Sequence, residues 1–261
     1  MNYQTIAVEK KGHVGFLYLN RPEVLNALSE QMGNELIDFM TRAAADDDLR
    51  VLILTGKGRA FSAGADLNMF KERCLEYRQT GQSQNTARVE LPRVFIGFPK
   101  PIIAMINGPA VGFGATLPLI CDIRLASDQA KICFAFVRVG VTPEFCSSYF
   151  LPRLVGHGKA AELVFTARMI HAREALDIGL INRVIPHDDL MAETEAMAQE
   201  IARMPAGAIR AAKALLRHGS QSTIEQVMDY ESLVFQSAAQ TQEHYEAVCR
   251  IMEELKQARK K

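Results

Sequence analysis

The sequence predicts an α/β fold in which short buried strands alternate with amphipathic helices, followed by a helical C-terminal third. Three observations carry this. First, Val51–Thr55, Ile102–Ile106 and Ile123–Ala126 are apolar runs of strand length, the pattern of strands buried on both faces of a mainly parallel sheet. Second, the intervening segments are long enough for β-α-β crossovers. Third, from about Glu144 onward the strand signal fades, with Ile181–Val184 as the exception, and Ala-rich periodic runs follow at 157–167, 188–203, 206–218 and 222–255.

Taken in order, Ile6–Val8 and Val14–Asn20 read as two strands around the Lys11-Gly12 turn. Ser29 is placed to cap a helix reaching Ala45, with Met32, Leu36, Phe39 and Met40 on one face. Residues 71 to 93 form the most polar long stretch, through Glu72, Arg73, Glu76, Arg78, Gln79, Gln82, Gln84, Asn85 and Arg88. It reads as a mobile helix or loop beside whatever site the glycine segments build. Between Lys100 and Asp122 lie 21 residues without a charge, long enough to span a bilayer. Three prolines (Pro101, Pro109, Pro118) and the Asn107-Gly108-Pro109 turn instead break it into strand, turn and helix at the centre of the protein.

The 261 residues carry 30 basic and 30 acidic side chains, so no global field draws the chain to nucleic acid or an anionic membrane. Its composition is that of an ordinary globular protein, long enough to bury a core without disulfide staples. Five cysteines (Cys74, Cys121, Cys133, Cys146, Cys249) show no paired spacing, which argues against a disulfide framework or zinc site and for a reducing compartment. The six histidines form no metal-ligating pair, and no metal is expected. The N-terminal residues lack the signal-peptide pattern, and the terminal Ala258-Arg259-Lys260-Lys261 is not a peroxisomal address; a cytoplasmic location is expected.

Two segments place glycines where backbone amides can face a ligand. Gly58-Arg-Ala-Phe-Ser-Ala-Gly64-Ala-Asp-Leu67 follows the Val51–Thr55 strand, and Asn107-Gly-Pro-Ala-Val-Gly112-Phe-Gly114-Ala-Thr116 follows Ile102–Ile106. A strand, a small-residue turn and a helix start leave N–H groups without intrahelical partners, suited to an oxygen that becomes anionic. The alternative is tight packing of turns, for which isolated glycines suffice. A dinucleotide fingerprint fails because Leu117 stands where its third glycine belongs, and no Gly-Lys-Ser/Thr ending marks a P-loop.

The paired segments Phe61-Ser-Ala-Gly-Ala-Asp66-Leu and Asn107-Gly-Pro-Ala-Val-Gly-Phe-Gly114 resemble the crotonase, or enoyl-CoA hydratase/isomerase, superfamily. So do Asn20–Leu28, Cys121–Ser127, Leu151–Gly156 and Ala175–Val184, in the expected order over nearly the whole chain. The resemblance implies a spiral of β-β-α units over residues 1–200 holding an acyl-CoA site. It also implies a helical region at 201–261 that builds homotrimers, often paired into hexamers. It places an oxyanion hole at the N–H groups of Ala65 and Phe113, with Ala63, Asp66 and Leu67 flanking the coenzyme A. No cofactor is implied, coenzyme A being part of the substrate. Lys57, Arg59, Lys71 and Arg73 bracket the first segment, either as phosphate contacts or as ordinary surface charge.

The superfamily shares the oxyanion hole but not the reaction, so the acid/base residues decide. The positions of the two hydratase glutamates are Thr116 and Phe136 here, neither a base near neutral pH. Glu144, in Thr142-Pro-Glu-Phe-Cys-Ser-Ser-Tyr149, has no charged neighbour within four residues, so desolvation is expected to raise its pKa. This stretch resembles the Δ3,Δ2-enoyl-CoA isomerase branch, where the matching glutamate is the single catalytic base. On residue type alone, Glu144 reads first as an acidic first-turn residue of the following helix, and the resemblance turns the reading to catalysis. An isomerase of ring-bearing acyl-CoA, a hydratase-like enzyme and a non-catalytic acyl-CoA binder are the alternatives. Ser147 and Ser148 have no adjacent histidine for a triad. The branch that pairs an aspartate with a tryptophan is excluded by the absence of tryptophan. Asp122, at the end of the uncharged run, reads as structural.

Overall fold

The second and third turns of the chain each lay one strand in a large sheet and a shorter one in a second layer. The computed structural model describes residues 3–81 and 89–258. Strands β1 (Ile6–Lys11) and β2 (Val14–Leu19) form an antiparallel hairpin around Gly12, whose φ of +57° suits glycine. Helix α1 (Glu30–Ala45) starts where Ser29 Oγ accepts the Met32 amide at 3.1 Å. Strand β3 (Val51–Gly56) then runs parallel to β2 and is followed by α2 (Leu67–Thr80) and α3 (Glu90–Ile96).

The second turn comprises β4 (Ile102–Ile106), β5 (Ala110–Val111) and α4 (Phe113–Thr116), which tightens into a 3-10 turn over Leu117–Ile120. The third comprises β6 (Ile123–Ser127), β7 (Lys131–Cys133), a 3-10 turn at Ala135–Val139, then α5 (Ser147–Val155) and α6 (His157–Thr166). After β8 (Ile170–His171), α7 (Ala172–Asp177) and β9 (Arg183–Ile185), the chain is helical: α8 (Leu190–Ala202), α9 (Ala206–Gly219), α10 (Ile224–Ala239) and α11 (Gln242–Ala258). The large sheet has the order β1-β2-β3-β4-β6-β9, parallel from β2 onward, and the second layer is β5-β7-β8.

The α/β expectation holds, and its physical basis is the period of two along the strands. Leu17, Leu19, Leu52, Leu54, Ile102 and Ala104 face one layer, where Met32, Leu36 and Met40 of α1 and Leu91 and Phe95 of α3 pack. Phe16, Tyr18, Val51, Ile53, Ile103 and Met105 face the other, against Leu190, Ala198 and Ala202 of α8. The uncharged run becomes β4, β5, α4 and its 3-10 extension, lying in this core. No helix among the described residues is long and apolar enough to cross a membrane.

Several boundaries differ from the sequence expectation. The 222–255 run is two helices, divided where the Thr241 hydroxyl accepts the His244 amide and starts α11. The strand expected at Ile181–Val184 is β9 at Arg183–Ile185, because α7 unwinds through Gly179 (φ +77°) and Leu180 and Ile181 are spent in the core. Helix α2 realises the polar stretch as a helix with no buried residue. Gln82, Gln84, Asn85 and Arg88, with Arg259, Lys260 and Lys261, lie outside the described residues.

Helix α9 is tied to the sheet by a buried ionic cluster. Lys213 donates to the Lys100 carbonyl and to Asp122 Oδ2, both at 2.6 Å, and Asp122 Oδ2 also accepts the Ile102 amide at 2.7 Å. Asp122 is structural, as expected. Burial pushes the Lys213 ammonium down from the ordinary lysine range, against the pull of Asp122. Lys213→Met leaves Asp122 without its nearest cation, and is expected to lower stability by about 2–3 kcal/mol, below the range for fully buried pairs because Asp122 keeps some solvent; urea unfolding reads it. The glycine segments give a second expectation. A Cβ on Gly114 would stand 2.3 Å from the Ser62 carbonyl oxygen, whereas one on Gly158 in α6 would meet nothing within 4 Å. Gly114→Ala is therefore expected to cost at least about 2–3 kcal/mol and Gly158→Ala to add about 0.5 kcal/mol, opposite signs in one thermal-melt comparison.

Candidate active site

A cavity of about 320 Å3 opens between the two glycine segments, α2, α3 and the loop before α5. Its wall is apolar for the most part, from Leu28, Leu67, Phe70, Leu91, Val111, Phe136, Val139, Val141 and Phe145. Ala63, Ala65 and Phe113 border it, and among the described residues its charged lining residues are Arg73 and Glu144. Among the described residues no group of three or more His, Cys, Asp or Glu side chains is arranged to hold a metal ion.

The backbone of the two glycine segments is locked together. Phe61 and Ser62 amides both donate to the Pro109 carbonyl at 3.1 Å, and the Val111 amide donates to the Ser62 carbonyl at 2.9 Å. So close an approach excludes side chains: a Cβ at Gly108 would meet the Arg59 carbonyl at 2.2 Å, and one at Gly64 (φ +105°) would meet the Val111 carbonyl at 2.9 Å. Around Ala65, the Leu28 amide donates to the Gly64 carbonyl and the Asp66 amide to the Leu28 carbonyl. By strand alternation the Ala65 N–H faces the other way. Phe113 is the first residue of α4, whose N–H has no intrahelical partner. Among the described residues neither the Ala65 nor the Phe113 N–H has a hydrogen-bond acceptor. The helix behind Phe113 is only four residues before its 3-10 extension, so local N–H geometry outweighs any macrodipole.

Asn26 and Asn107, whose roles the sequence did not disclose, hold this frame. Asn26 is fully buried at φ +57°, and its Nδ2 donates to the Lys57 and Ala60 carbonyls at 2.9 and 2.8 Å. Asn107 Nδ2 donates to the Gly58 carbonyl at 2.9 Å, while the Ser62 hydroxyl donates to the Asn26 carbonyl at 2.8 Å. Asn26 Oδ1 accepts the nearby Arg21 amide at 2.9 Å, but the carbonyls that its Nδ2 reaches are more than thirty residues away.

Glu144 sits on a strained loop. Phe145 and Cys146, neither a glycine, both take φ +57°, at about 1–2 kcal/mol each. Burial of Phe145 offsets this. Its ring meets Phe113 edge-on at 5.2 Å and Phe95 at 6.2 Å. The amide and hydroxyl of Ser147 both donate to the Glu144 carbonyl, at 3.0 and 2.6 Å. The N-cap of α5 is Cys146, so Glu144 contributes its carbonyl to the helix start and turns its carboxylate elsewhere. There Oε1 accepts from the Thr116 hydroxyl at 3.1 Å. Glu144 is exposed in the single chain.

The remaining sequence candidates separate. Ala63 and Leu67 line the cavity; Asp66 does not, because its carboxylate caps α2 by accepting the Asn68 amide at 3.1 Å and pairs with Arg21 at 3.4 Å. Of the bracketing cations, Arg73 lines the cavity. Lys57 is turned to Glu9 and lies over the Tyr18 ring at 3.7 Å, while Arg59 and Lys71 are exposed surface residues. Phe136 is in the cavity wall, and Thr116 is fully buried behind it.

Comparisons with known proteins agree with this geometry. The enoyl-CoA hydratase/isomerase family model matches residues 9–260. The crotonyl-CoA hydratase of Syntrophomonas wolfei is 35% identical over 261 residues, covering 98% of each chain. The enoyl-CoA delta isomerase 2 of Rattus norvegicus is 33% identical over 226 residues, covering 87% of this chain and 58% of that one. The crystal structure of an enoyl-CoA hydratase from Bacillus anthracis superposes with a TM-score of 0.88 at 32% identity, covering 96% of this chain and 97% of that one. Two interlocked glycine segments, two unpaired N–H groups beside an apolar cavity and these full-length matches lead to one conclusion: the chain belongs to the enoyl-CoA hydratase/isomerase family and has the crotonase fold.

Proposed function

We propose that the protein moves the double bond of a 3-enoyl-CoA to give the trans-2-enoyl-CoA, with Glu144 as the single acid/base. One observation carries this reading. Among the described residues Glu144 is the one carboxylate lining the cavity, while Thr116 and Phe136 occupy the positions that the resemblance assigns to the water-activating glutamates of hydratases.

The chemistry follows from these groups. The thioester carbonyl accepts from the N–H groups of Ala65 and Phe113, which acidifies the C2 protons. Glu144 takes one of them, and the electron pair of the broken C–H bond spreads into a dienolate whose charge rests on the carbonyl oxygen. A single oxyanion-hole donor contributes about 3–4 kcal/mol to transition-state stabilisation in other enzymes. The protonated carboxyl then delivers its proton to C4, the C3–C4 double bond becomes C2–C3, and Glu144 is again a carboxylate. The balance is a 1,3-proton shift, with no oxidant, metal or added water in it. The apolar wall formed by Leu91, Val111, Phe136 and Phe145 suits the acyl chain. Ala63 and Leu67, with the Asp66 main chain, would flank the coenzyme A.

Hydration of a 2-enoyl-CoA is the second reading, favoured by the hydratase names of relatives at 35% identity. Incubation with 3-hexenoyl-CoA in deuterated water separates the readings, together with an acyl-CoA binder that performs no turnover. Isomerisation gives 2-hexenoyl-CoA with deuterium in recovered acyl groups. Formation of 3-hydroxyacyl-CoA from the 2-enoyl isomer as the faster reaction would replace the isomerase assignment, and absence of both would leave binding alone. Comparing linear with ring-bearing substrates addresses the third enzymatic option. Glu144→Gln is expected to cut isomerase turnover about a hundred- to ten-thousandfold while acyl-CoA still binds; unchanged turnover removes Glu144 as the base.

The C-terminal region belongs to the same reading as a subunit contact. Helices α10 and α11 bury no residue within the chain, leaving Ile224, Met228, Leu233, Phe235, Tyr245 and Ile251 more than half exposed. Apolar surface this extensive calls for a partner, and a homotrimer, alone or paired as a hexamer, would cover it. Sedimentation equilibrium is expected to give three chains or six; a monomer at micromolar concentration overturns this.

A further inference from the structure

We propose that Thr116 is a positioning residue for the catalytic carboxylate and that, through it, α4 fixes the spacing between base and oxyanion hole. This rests on the reading of Glu144 as the base. The geometry on which it stands is compact. Phe113, the first residue of α4, offers the N–H group at the cavity, and Thr116 follows one turn later. Residues three apart on a helix lie on one face. The Thr116 side chain is fully buried, and its Oγ1 lies 3.1 Å from Glu144 Oε1 and 3.2 Å from the Phe113 carbonyl oxygen.

A hydroxyl has one hydrogen to donate, and these two acceptors compete for it. The backbone carbonyl three residues back is the ordinary resting place for a threonine hydroxyl inside a helix. The carboxylate is the stronger acceptor because it is charged. When Glu144 is ionised the hydrogen goes to Oε1 and fixes the orientation of the carboxylate at the cavity. When Glu144 carries that proton the hydroxyl turns back to the Phe113 carbonyl without losing its bond. Thr116 thus has a partner in both protonation states, and the switch asks for a hydroxyl rotation rather than a movement of chain. The packing of Phe145 on Phe113 at 5.2 Å ties the Glu144 loop to the same short helix. Base and oxyanion donor are therefore referenced to one element four residues long.

A glutamate at 116 would share one proton with Glu144, since two carboxylates this close do not both ionise, whereas a threonine hydroxyl donates without titrating. A residue that is the acid/base partner in one reaction is, as threonine, the orienting donor for a single base in another.

Thr116→Val removes the hydroxyl and keeps the volume; Thr116→Ser keeps the hydroxyl. With 3-hexenoyl-CoA as substrate and hexanoyl-CoA as unreactive probe, Thr116→Val is expected to lower kcat about tenfold or more, the rate equivalent of one charge-assisted hydrogen bond. KM and the hexanoyl-CoA Kd stay close to the parent values, and Thr116→Ser recovers most of kcat. Should valine unfold the protein, Thr116→Cys, a weak donor of similar size, is expected to fall between valine and serine in kcat with the same KM. A parent-like kcat in Thr116→Val, a loss confined to KM and Kd, or a serine variant as slow as the valine one each overturns the proposal. Glu144→Gln, measured alongside, distinguishes the two levels: an inactive glutamine variant beside a fully active valine variant removes only the positioning role. An active glutamine variant removes the base itself.

Discussion

The structure depends on the contact between two stretches of backbone, residues 58–67 and 107–116. Here carbonyls and amides approach one another with no side chain between them. The Phe61 and Ser62 amides share the Pro109 carbonyl, and Gly108 and Gly114 leave no room for a Cβ against Arg59 and Ser62. Every buried polar group needs a partner, and where side chains are excluded the backbone carbonyls find theirs in buried polar side chains. Asn26 and Asn107 take that role: their carboxamides collect the carbonyls of Lys57, Gly58 and Ala60. Such a frame is rigid because it is over-determined. Two N–H groups left over from it, at Ala65 and Phe113, are held in place before any ligand arrives. That is the condition under which hydrogen-bond donors stabilise developing charge without reorganising.

The fold around this contact follows from layer packing. Alternation along β2, β3 and β4 sends side chains to two cores, one under α1 and α3 and one under α8. The second layer, β5 with β7 and β8, is where the glycine segments meet it, since Ser62 bridges to Ala110 and Ala110 pairs with Ile132. The large sheet supplies the burial that stabilises the fold, and the small one supplies the register that aligns the site. Motifs remote from the cavity serve the same register. Buried Arg124 donates to the Cys121 and Leu180 carbonyls, and Asn182 accepts the Arg124 amide, joining the third turn of the spiral to β9.

Much of this was legible in the sequence where burial is two-sided and runs are long. The strands at 51, 102 and 123, the helix after Ser29 and the two glycine segments are all where their residue patterns put them. Elements of two or three residues, β5, β7 and β8, carry too little pattern to show a period. The break between α10 and α11 was hidden because Gln240-Thr241 is neither glycine nor proline, and only the Thr241 hydroxyl marks it. In the site, Ala65, Phe113 and Glu144 were identifiable from motif resemblance, and all three line one cavity. Asp66 shows the limit: an aspartate between a glycine turn and a helix is chemically ambiguous, and here its side chain is used up by the cap of α2 and by Arg21. The Thr116–Glu144 bond was invisible for another reason. It joins residues 28 apart through a loop whose shape depends on Phe145 and Cys146 taking a backbone conformation that their residue types do not announce.

The separation of frame from base explains how one family can host different reactions. Asn26, Ser62, Asn107 and the glycines fix the Ala65 and Phe113 N–H groups through bonds internal to the first two turns of the spiral. Glu144 arrives from the third turn on a loop that touches this frame at few points, chiefly Phe145 on Phe113 and the Thr116 hydroxyl. A side chain changed at 136 or 144 therefore alters the cavity without entering the hydrogen bonds that hold the Ala65 and Phe113 N–H groups. The reverse does not hold. A side chain added at 64, 108 or 114 would push carbonyls apart at the core of the frame and would disable any reaction run on it. Constraint on the backbone and freedom in the acid/base side chains are thus two consequences of the same packing.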